Sequence, residues 1–209
     1  IAVSGRLNEE TGYYETEEAK DFGFFISNEV NKISSETNGV QVNVFHPEGD
    51  KRVAELALET AIDAIDYYIE MMGSYPYSFI NIIPGGNGPY GGYPFASGIV
   101  VIHGMSLFER GSLRHWKWIT CHEIGHQYWG ESVLKGNDPP WLWIALGIYM
   151  DWKYSQESGF SDVKHRGWAD LYLRGVKNNY NTVFDLRPAE EAKIDFDRNN
   201  FVIHAKGFS

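Results

Sequence analysis

Three residues near the middle of the chain carry side chains that can do hydrolytic chemistry. His122 and His126 lie four residues apart, and Glu123 lies between them. On a helix this spacing puts both imidazoles on one face, one turn apart, where they can share a zinc ion. Glu123 lies about 100° round the helix from His122, near enough to act as a base on a water at the metal. The pattern predicts a zinc peptidase site, in which the metal polarises the scissile carbonyl and Glu123 takes and returns the proton.

The five-residue HExxH pattern also arises by chance on helices that bind no metal. Here it lies among apolar and aromatic residues, which predicts a buried helix. Two histidines and a glutamate in a core are unfavourable unless they are paired or bound to a metal, so we expect a functional or vestigial zinc site. Cys121 is the only cysteine and precedes His122. One helical step turns its side chain away from the histidines, and we therefore interpret it as a packing group.

The composition limits the class of protein. The formal net charge is −10, and residues 1–70 hold fifteen acidic but only five basic side chains. This balance argues against nucleic acid as a partner. The chain has no apolar run of the roughly 18 residues that a membrane helix needs, so no membrane span is predicted. A single cysteine excludes an internal disulfide framework.

Strands are predicted first along the chain and helices later. Residues 1–46 show extended segments separated by turns, and residues 40–45 alternate at strand period. A long helix is predicted from Val53 to Met72, with Gly73 as its stop. The remaining predicted elements are strands at 78–83 and 98–103 around a glycine-rich loop at 84–92, a short helix from Ser106, the metal helix from Leu113 to about Trp129, and helices at 138–154 and 161–174, the last closed by Gly175.

With its surroundings, the HExxH stretch resembles the M1 family of zinc aminopeptidases, which are gluzincins. Residues 126–130, His-Gln-Tyr-Trp-Gly, follow the course of the family's His-Gln-Trp-Phe-Gly. The other matching segments keep the family's order along the chain. They are Asp-Phe-Gly-Phe-Phe at 21–25, Gly-Ser-Tyr-Pro-Tyr at 73–77, Trp-Ile-Ala-Leu-Gly at 143–147 and Ile-His-Ala-Lys-Gly at 203–207.

The resemblance implies a fold and a division of the chain. We expect a thermolysin-like α+β catalytic domain over residues 21–209, with an N-terminal mixed β-sheet followed by helices. Residues 1–20 are then lead-in strands or the end of a preceding β domain. The chain is interpreted as a fragment of a longer protein, truncated at the C-terminus, with flanking domains as partners. The implied function is zinc-dependent hydrolysis of a peptide substrate, with His122 and His126 as ligands.

The first of three departures from the family pattern concerns the third zinc ligand, a Glu in the family. Counting the family's interval from His126 reaches Ala145, and aligning the Trp and Gly blocks reaches Leu146. Neither side chain binds zinc, so a ligand from elsewhere or a water must fill the position, or the site is weak. Asp151 and Glu131 are the nearest acidic residues. Neither is in helical phase with the missing ligand, and a surface position is expected for both.

The second departure removes the family's anchor for the substrate amine. A Gly-x-Met-Glu-Asn loop of the family uses its Glu for this purpose, whereas residues 91–98 contain no acid and none occurs between Glu70 and Glu109. The usual basis of aminopeptidase selectivity is therefore missing. Tyr93 or Ser97 could bond a peptide backbone, but filling the edge of a strand is the favoured role.

The third departure is His204, which stands where the family has the Tyr that stabilises the oxyanion. An imidazole can donate a hydrogen bond to that oxyanion, and it can also ligate zinc in place of the missing Glu. We interpret His204 as a catalytic residue, with a structural histidine as the alternative. The histidines at 46, 103, 115 and 165 are assigned to ordinary packing or exposure. The tryptophans at 116, 118, 129, 141, 143 and 152 are interpreted as core around the two central helices.

Two functions are consistent with these residues. The first is zinc-dependent peptide hydrolysis by an M1-like enzyme whose aminopeptidase specificity is left open. The second is a catalytically impaired pseudopeptidase domain that serves as a binding or assembly module. Glu123 favours the enzyme, because a scaffold has no need of a general base beside two histidines. The three departures favour the module.

Overall fold

The chain is mixed α+β, with a β-sheet first and helices after it, as expected. The computed structural model describes residues 1–16, 19–85, 91–103, 113–133, 140–160, 162–180 and 201–208. The strands are β1 (Ala2–Val3), β2 (Arg6–Leu7), β3 (Tyr14–Glu15), β4 (Phe24–Phe25), β5 (Val30–Thr37), β6 (Val40–Pro47), β7 (Phe79–Pro84), β8 (Gly91–Ala96) and β9 (Ile99–His103). The helices are α1 (Lys51–Met72), α2 (Leu113–Tyr128), α3 (Pro140–Glu157) and α4 (Asp162–Lys177), and a π-helix covers Phe201–Lys206.

A five-stranded mixed sheet has the strand order β5, β6, β7, β9, β8. Strands β6, β7 and β9 are parallel, and the edge strands β5 and β8 are antiparallel to their neighbours. The β5–β6 hairpin turns at Asn38 and Gly39, with φ of 47° and 77°. Residues of this kind suit the positive φ that a two-residue hairpin turn requires, which explains why the sequence predicted this turn.

Helix α1 and helix α2 cover one face of the sheet. Helix α1 packs against β5 and β6, and α2 packs against β8 and β9 and against α1. Four buried alanines, at 54, 57, 61 and 64, recur at helical spacing on α1 and let it approach closely. Tyr68 at the end of this row is fully buried and donates a hydrogen bond to the Cys121 carbonyl at 3.0 Å. Gly73 ends the helix with φ of 92°, as predicted.

A side-chain bond ties α2 to the edge of the sheet. Gly98 lies in the turn between β8 and β9, and its N–H donates to Gln127 Oε1 at 2.7 Å. Gln127 is buried and follows His126 directly. The turn and the central helix are therefore held together beside the predicted metal ligands.

The glycine-rich loop predicted at 84–92 is wrong at its end, because residues 91 and 92 begin strand β8. Residues 86–90 of this predicted loop lie outside the described residues. Residues Gly91–Ala96 pair with β9 along its length, with an irregularity between Pro94 and Ala96. Glycine and proline predicted a loop there, but β8 is an edge strand, where a missing N–H is tolerated. Pairing with the apolar strand β9 therefore determined the conformation of residues 91–96 more strongly than their glycine and proline content did.

The end of α4 also differs from the prediction. The helix continues to Lys177 and does not close at Gly175. A Cβ on Gly175 would lie 2.1 Å from Phe201 Cδ2. This glycine is therefore a close-packing contact between α4 and the π-helix, a role that turn rules do not reveal. The short helix predicted from Ser106 lies outside the described residues.

The N-terminal segment contacts the sheet directly. Strand β1 pairs with β4, and Asn81 Nδ2 donates to the Val3 carbonyl at 2.8 Å. Arg6 donates to the carbonyls of Gly39, at 2.8 Å, and Ser78. The division at residue 20 stays a prediction. Within the described ranges, none of the helices is long and apolar enough to cross a membrane.

Candidate metal centre

The HExxH residues lie in the buried part of α2. His122, Glu123 and His126 are each less than a tenth exposed. Trp118, one turn before His122, stacks on its ring with centroids 5.1 Å apart. Trp143 of α3 meets the His126 ring edge-on at 5.3 Å. Aromatic neighbours on α2 and α3 thus fix both imidazoles in a water-poor environment.

The two imidazoles face each other through their Nε2 atoms, which are 3.1 Å apart. His122 Nδ1 lies 2.6 Å from Asp151 Oδ2, and His126 Nδ1 lies 3.1 Å from the Trp129 carbonyl oxygen. A carboxylate and a carbonyl accept hydrogen bonds, so each Nδ1 carries a proton, and in the neutral form of each ring Nε2 then presents a lone pair. Two facing lone pairs repel unless a cation or a proton lies between them. At Zn–N distances of about 2.0–2.1 Å, both atoms can reach one zinc ion.

The pKa of His126 favours a neutral ligand. Burial lowers this pKa well below its ordinary value, and the nearby His122 and His204 lower it further, whereas the bond to the Trp129 carbonyl raises it. The imidazole is therefore unprotonated at neutral pH and able to donate its lone pair to a metal.

Glu123 is buried beside the histidines, and only 2% of it is exposed. Burial raises the pKa of Glu123 to about 7, with His122 acting to lower it and Asp151 to raise it. Its Oε2 has no hydrogen-bond partner among the described residues. A carboxyl group with a pKa near neutrality suits proton transfer in both directions.

Strand β8 lies directly over Glu123 at Gly92. A Cβ on Gly92 would be 2.7 Å from Glu123 Oε1 and 2.5 Å from the Val101 carbonyl oxygen. A glycine is therefore required for the strand to pass this close to the carboxyl group. The edge of the sheet thus forms one wall of the candidate site.

Asp151 corrects a sequence expectation. The sequence predicts surface positions for Asp151 and Glu131, but both are fully buried. Asp151 Oδ2 bonds Nδ1 of His122, and Oδ1 lies 3.1 Å from His165 Nε2. The carboxylate therefore lies behind His122, on the side away from Nε2. Asp151 is therefore placed to orient the His122 ring, and it does not lie on the side of Nε2 where a third ligand is predicted.

The third-ligand position contains no replacement acid. On α3, Ala145 is buried and Leu146 is half-buried. Throughout the described part of the chain, no group of three or more His, Cys, Asp or Glu side chains is suited to holding a metal. The protein side chains that converge here are therefore the two imidazoles, with Glu123 beside them.

His204 lies in the π-helix, which packs against α3 and α4. Its ring stacks on Trp168 with centroids 5.1 Å apart and an angle of 16°. A positive charge on His204 acts to lower the pKa of His126. The π-helix that carries His204 packs against α3, which in turn packs against α2.

The other candidates have structural roles. Ser97 is fully buried, and its Oγ accepts from the Lys20 N–H at 3.0 Å. It is therefore used inside the fold, whereas Tyr93 is 43% exposed on β8. Cys121 is buried, which confirms its interpretation as a packing group. His165 had been assigned to packing or exposure, and its bond to Asp151 was missed.

Compared with models of known protein families and with curated proteins, the chain matches none of them. Fold alone does not assign a function, because one architecture serves many chemistries.

Proposed function

We propose that the chain is a zinc-dependent peptidase domain of the M1-like, thermolysin-like type. His122 and His126 are the proposed ligands, and Glu123 is the proposed general base. The observation that carries the proposal is the pair of Nε2 atoms 3.1 Å apart, each with its Nδ1 bonded to an acceptor. One shared divalent cation satisfies both lone pairs at once.

The side chains around this pair have distinct parts in the proposed hydrolysis. Bound zinc supplies Lewis acidity for the scissile carbonyl and for water. Glu123, whose carboxyl group is buried beside both histidines, would accept the proton of the attacking water and return it to the leaving amine. Gly92 keeps β8 against Glu123, which excludes bulk water from that side. His204 is proposed to donate an N–H to the developing oxyanion.

The absence of a third protein ligand, among the residues that the structure describes, is expected to lower the affinity of the proposed site for zinc. Catalytic zinc sites usually have three protein ligands, whereas two imidazoles converge here. We propose that water fills the remaining position, or that His204 does so instead of serving the oxyanion, and that zinc is held more weakly than in a three-ligand site.

Zinc stoichiometry tests the proposal directly. We expect the purified protein, at neutral pH with added zinc, to bind about one equivalent, because two neutral imidazoles converge on one point. His122→Ala and His126→Ala are expected to lose this zinc, as measured by elemental analysis after gel filtration. His46→Ala removes a buried histidine of β6 and serves as the matched control. Absence of bound zinc from the unaltered protein would reject the site.

A binding or assembly module is the second candidate, favoured by one observation. Neither Ala145 nor Leu146 can replace the third ligand, and the described residues contain no three-ligand group. Hydrolysis of a mixed peptide library separates the two functions. Cleavage that a chelator stops and zinc restores supports the peptidase. Zinc binding without cleavage of any peptide supports the module.

Gly147→Ala is expected to damage the site through His126. A Cβ at Gly147 would lie 2.4 Å from His126 Cε1 and 2.7 Å from its Nδ1, so the ring must move. We expect zinc affinity to fall about 10–100-fold, as for other changes that displace a ligand. Overpacking is expected to lower the free energy of unfolding by about 1–3 kcal/mol. Chelator competition and urea unfolding measure the two effects.

Gly167→Ala on α4 is the control for that substitution. Nothing lies within 4 Å of a Cβ at this exposed helical position. We expect unchanged zinc affinity and a gain of about 0.5–1 kcal/mol in stability from helix propensity. Equal zinc affinity in the two variants would show that Gly147 does not position His126.

A further inference from the structure

We propose that His165 is a positioning residue that, through Asp151, fixes which nitrogen of His122 carries the proton. The expected effect on zinc affinity rests on the proposed function, because His122 Nε2, the nitrogen kept free of a proton, is the proposed zinc ligand. His165 lies on α4, outside the HExxH helix and outside the segments that resemble the M1 pattern.

The carboxylate of Asp151 links the two histidines. It is fully buried, and its two oxygens serve different rings. Oδ2 accepts from His122 Nδ1 at 2.6 Å, and Oδ1 accepts from His165 Nε2 at 3.1 Å. A buried carboxylate is unfavourable unless its oxygens have hydrogen-bond donors. His165 supplies the donor to the oxygen that His122 does not use.

His165 is itself held in place, so its bond sets the direction of the carboxylate. Its side chain is only 12% exposed. Trp152 of α3 contacts its ring edge-on at 6.5 Å, and Phe208 lies against it at 5.9 Å. A fixed ring on one side of Asp151 leaves the other oxygen aimed at His122. Helices α2, α3 and α4 are thereby joined through one carboxylate.

The chemical effect concerns the tautomer of His122. With Oδ2 as a firm acceptor, the proton stays on Nδ1 and the Nε2 lone pair faces His126. Without His165, Asp151 loses one of its two donors and can rotate about its side-chain bond. The alternative tautomer then places a proton on Nε2, where it blocks access to a metal. Changes to groups that orient a ligand commonly lower metal affinity about 10–100-fold.

Two substitutions separate hydrogen bonding from packing. His165→Phe keeps an aromatic ring against Trp152 and Phe208 but has no N–H. His165→Gln loses the ring but carries an amide N–H where Nε2 stood. Nitrogen-15 NMR of the imidazoles in metal-free protein reads the tautomer of His122. Chelator competition reads zinc affinity.

We expect His122 to be protonated on Nδ1 in the unaltered protein and in His165→Gln. In His165→Phe we expect a mixture of tautomers and a zinc affinity about 10–100-fold lower, with the Gln variant recovering most of it. His165→Ala replaces the Phe variant if the latter does not fold. An unchanged His122 tautomer in the folded Phe or Ala variant overturns the inference, and so does a Gln variant that behaves like Phe.

The tautomer is measured without metal or substrate, so the two proposals fail separately. If the His122 tautomer changes with the residue at position 165 but the protein binds no zinc, the positioning role is supported and the zinc peptidase is rejected. Zinc binding and cleavage that are the same in all variants, with an unchanged tautomer, reject the positioning role alone.

Discussion

Glu123→Gln is expected to lower peptide turnover by about 10²–10⁴-fold while zinc content stays unchanged. The amide has nearly the shape of the carboxyl group but cannot accept the proton of the attacking water. Glu123 is buried next to His122, and its pKa of about 7 is suited to that transfer. Steady-state kcat/KM, measured alongside zinc content on the same samples, tests the expectation.

Glu131→Gln is the matched control for turnover. Glu131 is also a fully buried acid, and it lies just past the end of α2. Its loss is expected to leave turnover within a few-fold of the unaltered protein. If Glu123→Gln turns over peptide as fast as the unaltered protein at equal zinc content, Glu123 is not the base.

The same Glu123→Gln substitution is expected to stabilise the metal-free protein at alkaline pH. The pKa of Glu123 is raised by burial from 4.5 to about 7. The folded state therefore binds this proton more tightly than the unfolded state. The resulting stability is fully present below pH 4.5 and is lost as the pH rises through about 7. At 1.36 kcal/mol per pH unit, the loss is roughly 3 kcal/mol by about pH 8.5.

Urea unfolding with a chelator present measures this effect. At about pH 8.5 the Gln variant is expected to exceed the unaltered protein by roughly 3 kcal/mol, and at about pH 4 the two are expected to agree closely. Added zinc is expected to narrow the difference, because a nearby cation stabilises the carboxylate. A difference of the same size at both pH values would contradict a raised pKa at Glu123.

Local patterns were sufficient for much of the fold. Strand alternation predicted β6, and apolar residues at helical spacing, with Gly73 after them, predicted α1 and its end. Helical spacing also placed both HExxH imidazoles on one face of α2, as the structure has them. These features depend on residues close together in sequence, which is why single-sequence rules reach them.

The missed features depend on contacts between distant residues. Asp151 and His165 meet His122 across three helices, and no spacing rule links them. The sequence contains one signal for the role of Asp151, which is the single acid in the apolar run from 141 to 152. An isolated acid in such a run indicates a buried carboxylate that needs a hydrogen-bond donor. Gly175 was read as a helix stop because its role depends on Phe201, far along the chain. The zinc ion and the peptidase activity stay predictions.

The hydrogen bond from the Gly98 N–H to Gln127 Oε1 has a consequence for local opening. The turn between β8 and β9 cannot move away from α2 without breaking this buried 2.7 Å bond, one residue from His126. We therefore expect amide protons of the sheet edge and of α2 to become exposed to solvent together, as one cooperative unit, in hydrogen-exchange measurements. A ligand that holds His126 in place is therefore expected to slow the local opening of strand β8, which lies over Glu123.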